Sequence, residues 1–180
     1  GLEATVVNCR KDSIPGLKVT QLMGSLSNVM TSVSAEEVGR TLARNLNADF
    51  LPFSAPVIVS NPKTRDSLAQ EPAVARVLDV ARKSDVALVG IGSNGSSSSE
   101  MLIEEFALSK GERDATFKSM AGDIAARFYN AQGKILSNVI DNRVIGLTLE
   151  EICKIPKVIG VATGADKVLG VRSEEHTSEL

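Results

Sequence analysis

The sequence predicts an α/β domain built on a Rossmann-like, doubly wound and mostly parallel sheet, with a β-hairpin inserted into it. Three observations predict this class. Apolar runs at 86–89 and 158–162 show no polar alternation, which is typical of parallel strands covered on both faces. Helical segments separate the predicted strands and provide crossovers long enough for parallel pairing. Glycine- and serine-rich loops follow several strand ends, where open α/β sheets bind their ligands.

The first third of the chain alternates helical and extended segments. We predict a helix over 2–7, a strand over 18–23, a helix beginning at Ser34, a strand over 49–53 and an extended piece over 56–59. The start at Ser34 resembles a capping box, because Glu37 follows this serine three residues later. Val38, Leu42 and Leu46 then repeat with helical spacing, which indicates one apolar face.

The middle of the chain predicts two consecutive helices and then the central strand over 86–89. Asn61–Pro62 is a good helix start, and Glu71–Pro72 ends that first helix. The second helix is predicted over 73–83. Its apolar face consists of Val74, Val77, Leu78 and Ala81.

The C-terminal half continues the alternation. The segment 100–120 is predicted to be largely helical, with an interruption near Lys110–Gly111. Residues 122–136 resemble a β-hairpin with a turn at Asn130–Gly133. A short helix is predicted to begin at Thr148, and the last complete strand follows it.

Composition restricts the class of protein. The chain is 43% hydrophobic and 23% charged with a net charge of −2, which is ordinary for a globular domain, and its scarcity of aromatic residues predicts an aliphatic core. Neither a transmembrane run nor a signal peptide is present, so we expect a cytoplasmic protein without a membrane partner.

Cys9 and Cys153 lie among apolar residues and are interpreted as buried thiols. No metal-binding motif is present, and we expect no cofactor.

The two ends of the sequence differ from the rest. Gly1 is not a translation start, and the chain opens within a predicted helix. The final segment Arg172–Leu180 is abruptly polar and resembles, codon by codon, the translation of a widely used sequencing-library adapter; the alternative is a native acidic tail. We therefore expect residues 1–171 to be a partial effector-binding domain and residues 172–180 a non-native tail. The single histidine of the chain, His176, falls in this tail.

Three predicted strand ends carry residues suited to an anionic ligand. Gly24 and Ser25 follow an early strand, Gly92 and Ser93 follow the central strand, and Lys167 follows the last one. Glycines let the backbone approach a ligand, bare N–H groups hold anions, and hydroxyls and a lysine add hydrogen bonds and positive charge. This combination suits a phosphorylated small molecule. The plainer alternative is a set of tight turns without a ligand and a solvated lysine.

Polar residues near the predicted hairpin complete the candidate set. Asp123 directly follows Gly122, where a carboxylate either accepts hydrogen bonds from sugar hydroxyls or only stabilises a turn. Asn142 and Arg143 either reach the same region or form an ordinary polar loop. No pair of nucleophile and general base is evident, and without a histidine outside the tail the commonest general base is missing. Catalysis is therefore disfavoured.

Several of these segments together resemble a known family. They are VTQLMGSLSN (19–28), the segment 48–93 that begins ADFLPFSAPVIVSNP, GDIAARFYNAQGK (122–134) and NRVIGLTLEEICKIPKVIGVATGADKV (142–168). In this order they resemble the effector-binding domain of the SorC family of bacterial transcriptional regulators. That family includes the deoxyribonucleoside and central glycolytic gene repressors.

The resemblance implies a sugar-phosphate-binding domain, related in fold to glucosamine-6-phosphate deaminase and ribose-5-phosphate isomerase. Asp123 matches an acidic residue that contacts the effector, and Lys167 matches a lysine that faces its phosphate or sugar. Thr163 stands where the family usually has glycine, which loosens the expected shape of that loop. The residues carried over as ligand contacts are Gly24, Ser25, Gly92, Ser93, Asp123 and Lys167.

The resemblance also implies partners. In the family an N-terminal helix-turn-helix domain binds DNA, and effector binding alters oligomerisation and operator affinity. That domain and the first strand with its phosphate-holding loop are absent from this sequence, so we expect DNA contact only through a missing N-terminal domain. We further expect a homodimer or homotetramer. The alternative function is a sugar-phosphate isomerase or deaminase on the same scaffold, and the missing histidine argues against the deaminase.

Overall fold

The computed structural model describes residues 1–26, 34–136 and 140–177, with the backbone alone at 97, 98 and 174–177. Its helices and strands are α1 (Leu2–Val7), β1 (Lys18–Thr20), α2 (Ala35–Asn45), β2 (Asp49–Leu51), α3 (Pro62–Gln70), α4 (Pro72–Arg82), β3 (Val86–Gly90), β4 (Gly92–Ser93), α5 (Ser97–Glu105), α6 (Lys110–Ser119), β5 (Gly122–Ile124), β6 (Arg127–Tyr129), α7 (Leu149–Cys153), β7 (Lys157–Val161) and α8 (Val168–Thr177). Single 3₁₀ turns lie at Asp141–Arg143 and Ala165–Lys167. Residues 27–28 of the predicted N-terminal ligand loop and residues 178–180 of the predicted tail lie outside the described residues.

Within the described residues, the strands form two parallel pairs and one antiparallel sheet. β1 pairs with β2, with Val19 opposite Phe50, and β3 pairs with β7, with Leu88 opposite Ile159. β4, β5 and β6 form the antiparallel sheet. The architecture is therefore a mixed α/β fold with parallel segments, and helices connect the partners of each parallel pair.

The central strand runs directly from a parallel pair into the antiparallel sheet. β3 ends at Gly90 and β4 begins at Gly92. The intervening Ile91 still donates its backbone N–H to the carbonyl oxygen of Val161 at 3.1 Å. Because β4 then pairs with β5, the carboxyl end of β3 lies beside the strand that carries Asp123.

Local sequence signals predict most helix boundaries correctly. The Asn61 side chain accepts a hydrogen bond from the N–H of Thr64 at 3.0 Å and caps α3. Ser34 caps α2 in the same way, by accepting from the N–H of Glu37 at 3.1 Å. The predicted apolar face of α4 is confirmed, since Val74, Val77, Leu78 and Ala81 are all buried in the main core.

The inserted hairpin and its predicted turn are confirmed, and the structure adds an earlier turn that the sequence did not predict. β5 and β6 are joined by Ala125 and Ala126, whose φ angles are +49° and +63°. Alanine seldom adopts this left-handed conformation, so the sequence carries no turn signal here. Burial of Ala126 and the flanking strand pairing hold the turn in place. The predicted turn at Asn130–Gly133 follows as a second turn, closed by the Gly133 N–H on the Asn130 carbonyl at 2.9 Å.

The break within the predicted 100–120 helix also lies earlier than expected. α5 ends at Glu105 and α6 begins after Ser109, so the interruption precedes Lys110–Gly111. A capping box between Ser109 and Glu112 starts α6 and accounts for the shift. Gly111 is consequently a residue of the first turn of α6.

The expectation that strands β3 and β7 are covered on both faces is wrong. Ala87 and Val89 are buried against the core, whereas Val86 is 51% exposed and Val158 and Ile159 are 39% and 40% exposed. In the part of the chain that the structure describes, the core cluster that includes the apolar face of α4 covers only one side of this pair. An unbroken apolar run therefore did not guarantee a second covering layer.

Neither cysteine is buried, contrary to the prediction of two buried thiols. Cys9 is partly exposed and Cys153 is exposed. Cys153 is the last residue of α7, a helix that buries Leu149 and Ile152 instead. Because a helix buries only one face, an apolar neighbour in sequence does not imply burial of the thiol.

Candidate functional site

The candidate site is centred on Asp123, the middle residue of β5. Its cross-strand neighbours are Gly92 on β4 and Phe128 on β6. Asp123 Oδ1 accepts a hydrogen bond from Ser99 Oγ at 2.5 Å. Ile124 and Gly122 on either side are buried, while Asp123 itself remains partly exposed. The strand therefore presents a single carboxylate beside the carboxyl end of β3.

The electrostatic setting of Asp123 involves a second predicted residue. Burial raises the pKa of the Asp123 carboxyl above its ordinary value, while the Ser99 hydrogen bond and the positive charge of Lys167 act to lower it. Lys167 ends the 3₁₀ turn after β7, and its Nζ lies 3.9 Å from Asp166 Oδ2. The structure thus brings Asp123 and Lys167 into one electrostatic neighbourhood.

Close approach of backbone atoms accounts for the glycines around Asp123. A Cβ at Gly92 would overlap Asp123 Oδ1 and lie 2.7 Å from Ser99 Oγ. A Cβ at Gly122 would lie 2.5 Å from the Tyr129 hydroxyl. A Cβ at Gly170, in α8, would lie 2.6 Å from the Gly92 carbonyl oxygen. Any side chain at these positions would push the surrounding elements apart.

Tyr129 and Ser99 are contributors that sequence reasoning missed. The Tyr129 hydroxyl is buried and donates to the Gly170 carbonyl oxygen at 3.0 Å, which fixes α8 against the hairpin. The turn that carries Lys167 leads directly into α8, so this bond helps to place Lys167. The serine run at the start of α5 was visible in the sequence, but nothing local indicated that Ser99 would reach Asp123.

Ser93 is buried rather than exposed to a ligand. Its N–H donates to Ser96 Oγ at 3.4 Å, and its hydroxyl donates to the Ala121 carbonyl oxygen at 3.5 Å. The N–H of Asn94 also bonds to Ala121, at 3.1 Å. The expectation of bare N–H groups is therefore wrong at Ser93, and a ligand contact by Ser93 remains a prediction.

Gly24 and Ser25 make their hydrogen bonds with other parts of the chain. The Gly24 N–H donates to the Ile145 carbonyl at 3.0 Å, and the Ser25 N–H donates to the Ala55 carbonyl at 2.9 Å. Both N–H groups are therefore occupied, contrary to the expectation of free donors. The Ser25 hydroxyl accepts from Gln21 Nε2 at 3.4 Å. Ligand binding by Gly24 and Ser25 remains a prediction.

The plainer interpretation of Arg143 fits its contacts. Its Nε donates to the Val59 carbonyl at 2.7 Å and its guanidinium also donates to the Phe106 carbonyl at 2.9 Å. These bonds join the 3₁₀ turn at Asp141–Arg143 to the segment before α3 and to the end of α5. Asn142 is exposed beside it.

Asp123 and Lys167 carry groups that are able to bind a polar, negatively charged ligand. A carboxylate accepts hydrogen bonds from hydroxyl groups, and the nearby Lys167 attracts a negative group. Among the residues that the structure describes, no three His, Cys, Asp or Glu side chains cluster to hold a metal ion. Within the same ranges, no helix is both long and apolar enough to cross a lipid bilayer.

Comparison with protein families and curated proteins gives consistent matches. A family model described as "Putative sugar-binding domain" matches residues 1–176. The deoxyribonucleoside regulator of Bacillus subtilis (strain 168) is 26% identical over 167 residues, which cover 91% of this chain and 52% of that protein. The transcriptional regulator LsrR of Enterobacter sp. (strain 638) is 34% identical over 153 residues, 84% of this chain and 45% of that protein. The chain thus spans about half the length of these curated relatives.

Solved structures show the same fold. The full-length sorbitol operon regulator SorC from Klebsiella pneumoniae aligns with a TM-score of 0.87 at 22% identity, over 98% of this chain and 58% of that one. A DeoR family transcriptional regulator from Listeria monocytogenes aligns with a TM-score of 0.83 at 23% identity, over 98% of this chain and 69% of that one. At these identities the likeness establishes the fold.

Proposed function

Because this chain belongs to the sugar-binding domain family, we propose that it is the effector-sensing domain of a DNA-binding transcriptional regulator and that its effector is a phosphorylated sugar. The curated relatives are named as regulators, which favours this function over a sugar-phosphate isomerase or deaminase. We propose that the domain binds its sugar without turning it over. DNA is contacted through another domain of the full regulator, which acts in the cytoplasm as a homodimer or homotetramer.

The single observation that carries the binding site is the grouping of Asp123 and Lys167. The carboxylate of Asp123 accepts hydrogen bonds from sugar hydroxyls, and Lys167 supplies positive charge for the phosphate. Gly92 leaves the space for Asp123 and lies at the end of the central strand.

The setting of this site supports a Rossmann-like, doubly wound sheet as the finer description of the fold. Both β1–β2 and β3–β7 are parallel, and each pair is linked through helices. In such sheets the ligand crevice lies outside the carboxyl ends of the strands. Gly92, after β3, and Lys167, after β7, occupy this position.

The proposed function is tested by calorimetry on the chain with a panel of ligands. The panel contains ribose, deoxyribose, glucose and fructose, each with and without a terminal phosphate. We expect at least one phosphorylated sugar to bind, and its unphosphorylated counterpart to bind at least about tenfold more weakly because the charge-assisted bonds are lost. Equal binding of both forms would contradict the proposal that the effector is recognised by its phosphate. Chemical conversion of the sugar would favour the enzyme alternative.

Replacing Asp123 with asparagine is expected to weaken binding of that sugar phosphate by about 10- to 100-fold. The carboxylate would lose hydrogen bonds of the charged kind, each contributing about 1.5–3 kcal/mol. Asp66→Asn is the matched control, because Asp66 is an exposed residue on α3 that pairs with the neighbouring Arg65. Unchanged affinity in Asp123→Asn, measured by the same calorimetry, would remove Asp123 from the site.

Binding is also expected to strengthen as the pH rises through the pKa of Asp123. That pKa is raised by burial, and sugar hydroxyls donate to the ionised form, so protonation below the pKa removes the acceptor. The phosphate of the sugar titrates at about pH 6 and adds its own pH dependence to binding. Comparing the pH profiles of the wild-type chain and Asp123→Asn isolates the carboxyl contribution. Identical profiles would show that ionisation of Asp123 does not affect the affinity for the sugar.

A further inference from the structure

We propose that Ser99 is a positioning residue that holds the Asp123 carboxylate for the sugar, and that Ser96 supports it through a directed chain of hydrogen bonds. The inference rests on the proposed function for the identity of the ligand. Ser99 Oγ lies 2.5 Å from Asp123 Oδ1 and 3.0 Å from Ser96 Oγ. Ser96 and Ser99 are both buried. The two hydroxyls and the carboxylate thus form one chain of close contacts inside the protein.

The number of hydroxyl protons gives this chain of hydrogen bonds a direction. A serine hydroxyl carries one proton, and the Ser99 proton is donated to the ionised Asp123 carboxylate. Ser99 Oγ must then accept the proton of Ser96, and Ser96 Oγ accepts from the backbone N–H of Ser93. The donors therefore all point towards Asp123, an arrangement in which each bond polarises and strengthens the next.

The chain of hydrogen bonds fixes one oxygen of the Asp123 carboxylate and leaves the other available. Oδ1 is bonded to Ser99, and Gly92 lies against the same oxygen. Within the described ranges, Asp123 Oδ2 takes part in no hydrogen bond with the protein. Because Asp123 is partly exposed, Oδ2 is the oxygen that remains to accept a sugar hydroxyl. The carboxylate is thereby oriented before the ligand arrives, which lowers the entropy cost of binding.

Ser99 has a role at Asp123 that the surrounding charged groups do not fill. Lys167, on the turn before α8, is the charged residue that acts on the Asp123 charge. Arg127, on the neighbouring strand β6, is bonded to Asp141, and Arg172 on α8 is exposed. Burial opposes the charged form of Asp123. Ser99 therefore supplies, from within the core, the hydrogen bond that offsets this desolvation.

The test is a carbon-13 NMR titration of the Asp123 carboxyl in the ligand-free chain. We expect Ser99→Ala to raise the pKa of Asp123 by about one unit or more, because a hydrogen bond to the charged form is lost. Ser96→Ala keeps the Ser99 bond and is expected to raise the pKa in the same direction by less. Thr116→Val is the matched control, because the buried Thr116 hydroxyl donates to the Glu112 carbonyl in its own helix, away from Asp123 in sequence and in bonding.

The outcomes separate this inference from the proposed function, since the titration uses no sugar. An unchanged pKa of Asp123 in both Ser99→Ala and Ser96→Ala would overturn the positioning role. A raised pKa in a chain that binds no member of the sugar panel would support the hydrogen-bond chain and contradict the proposed ligand. If Ser99→Ala does not fold, the Ser96→Ala titration decides, because Ser96 bonds to Ser99, which in turn bonds to Asp123.

Discussion

Replacing Arg127 with methionine is expected to lower the free energy of unfolding by about 3–5 kcal/mol, the largest stability loss that we predict for this chain. The Arg127 side chain is only 3% exposed. Its Nε donates to the Leu147 carbonyl at 3.1 Å and its two other nitrogens donate to Gly146 and Asp141. It also pairs with the Asp141 carboxylate at 2.8 Å. One side chain thus joins β6 to the segment before α7.

The size of this effect follows from what methionine leaves behind. Methionine fills the volume of the arginine stem, so the cavity is small. The carbonyls of buried Leu147 and half-buried Gly146, however, lose their donor. A buried acceptor left without a partner costs about 1–3 kcal/mol. Since whole domains are stable by only about 5–15 kcal/mol, the variant approaches the limit of folding.

Urea unfolding followed by circular dichroism measures the loss. Arg76→Met is the matched control, because Arg76 lies exposed on α4, and we expect its change to stay within about 0.5 kcal/mol. Arg127→Lys retains the charge but presents a single nitrogen, so we expect an intermediate loss. A loss for Arg127→Met no larger than that of the control would show that the bonds of Arg127 contribute little.

Replacing Gly92 with alanine is expected to abolish sugar binding in the range where the wild-type chain saturates, with an affinity loss of at least about 10-fold. The added Cβ would overlap Asp123 Oδ1 and lie 2.7 Å from Ser99 Oγ. Because both atoms belong to buried or tightly packed groups, the carboxylate must rotate or the strands must separate. We expect a further loss of about 1–3 kcal/mol in the free energy of unfolding from this overpacking.

Gly111→Ala is the matched control for Gly92→Ala. Gly111 lies within α6, and a Cβ there would meet no atom within 4 Å. Alanine is the better helix former by about 0.5–1 kcal/mol, so this control is expected to stabilise the chain and leave sugar affinity unchanged. Calorimetry and urea unfolding on both variants give the comparison. Sugar affinity that survives Gly92→Ala would place the ligand away from Asp123.

The local sequence determined the elements that depend on neighbouring residues. The cap at Asn61 and the buried face of α4 were predictable because they join residues three or four positions apart. The alternation of helices and strands, and with it the mixed α/β class, followed from the same periodicities. The candidate residues Asp123 and Lys167 were also recognisable, since both follow glycines at predicted strand ends or turns.

The tertiary structure alone decided how the candidate site is assembled and which apolar surfaces are covered. The Ser99–Asp123 bond joins residues 24 positions apart, and the Tyr129–Gly170 bond joins residues 41 positions apart. No local periodicity encodes such pairs, because they depend on how α5 packs against β5 and α8 packs against β6. The same limit explains the exposed side of β3 and β7 and the occupied N–H groups of Gly24 and Ser25. A sequence pattern states which groups are able to bind, and only packing decides which of them already have a partner.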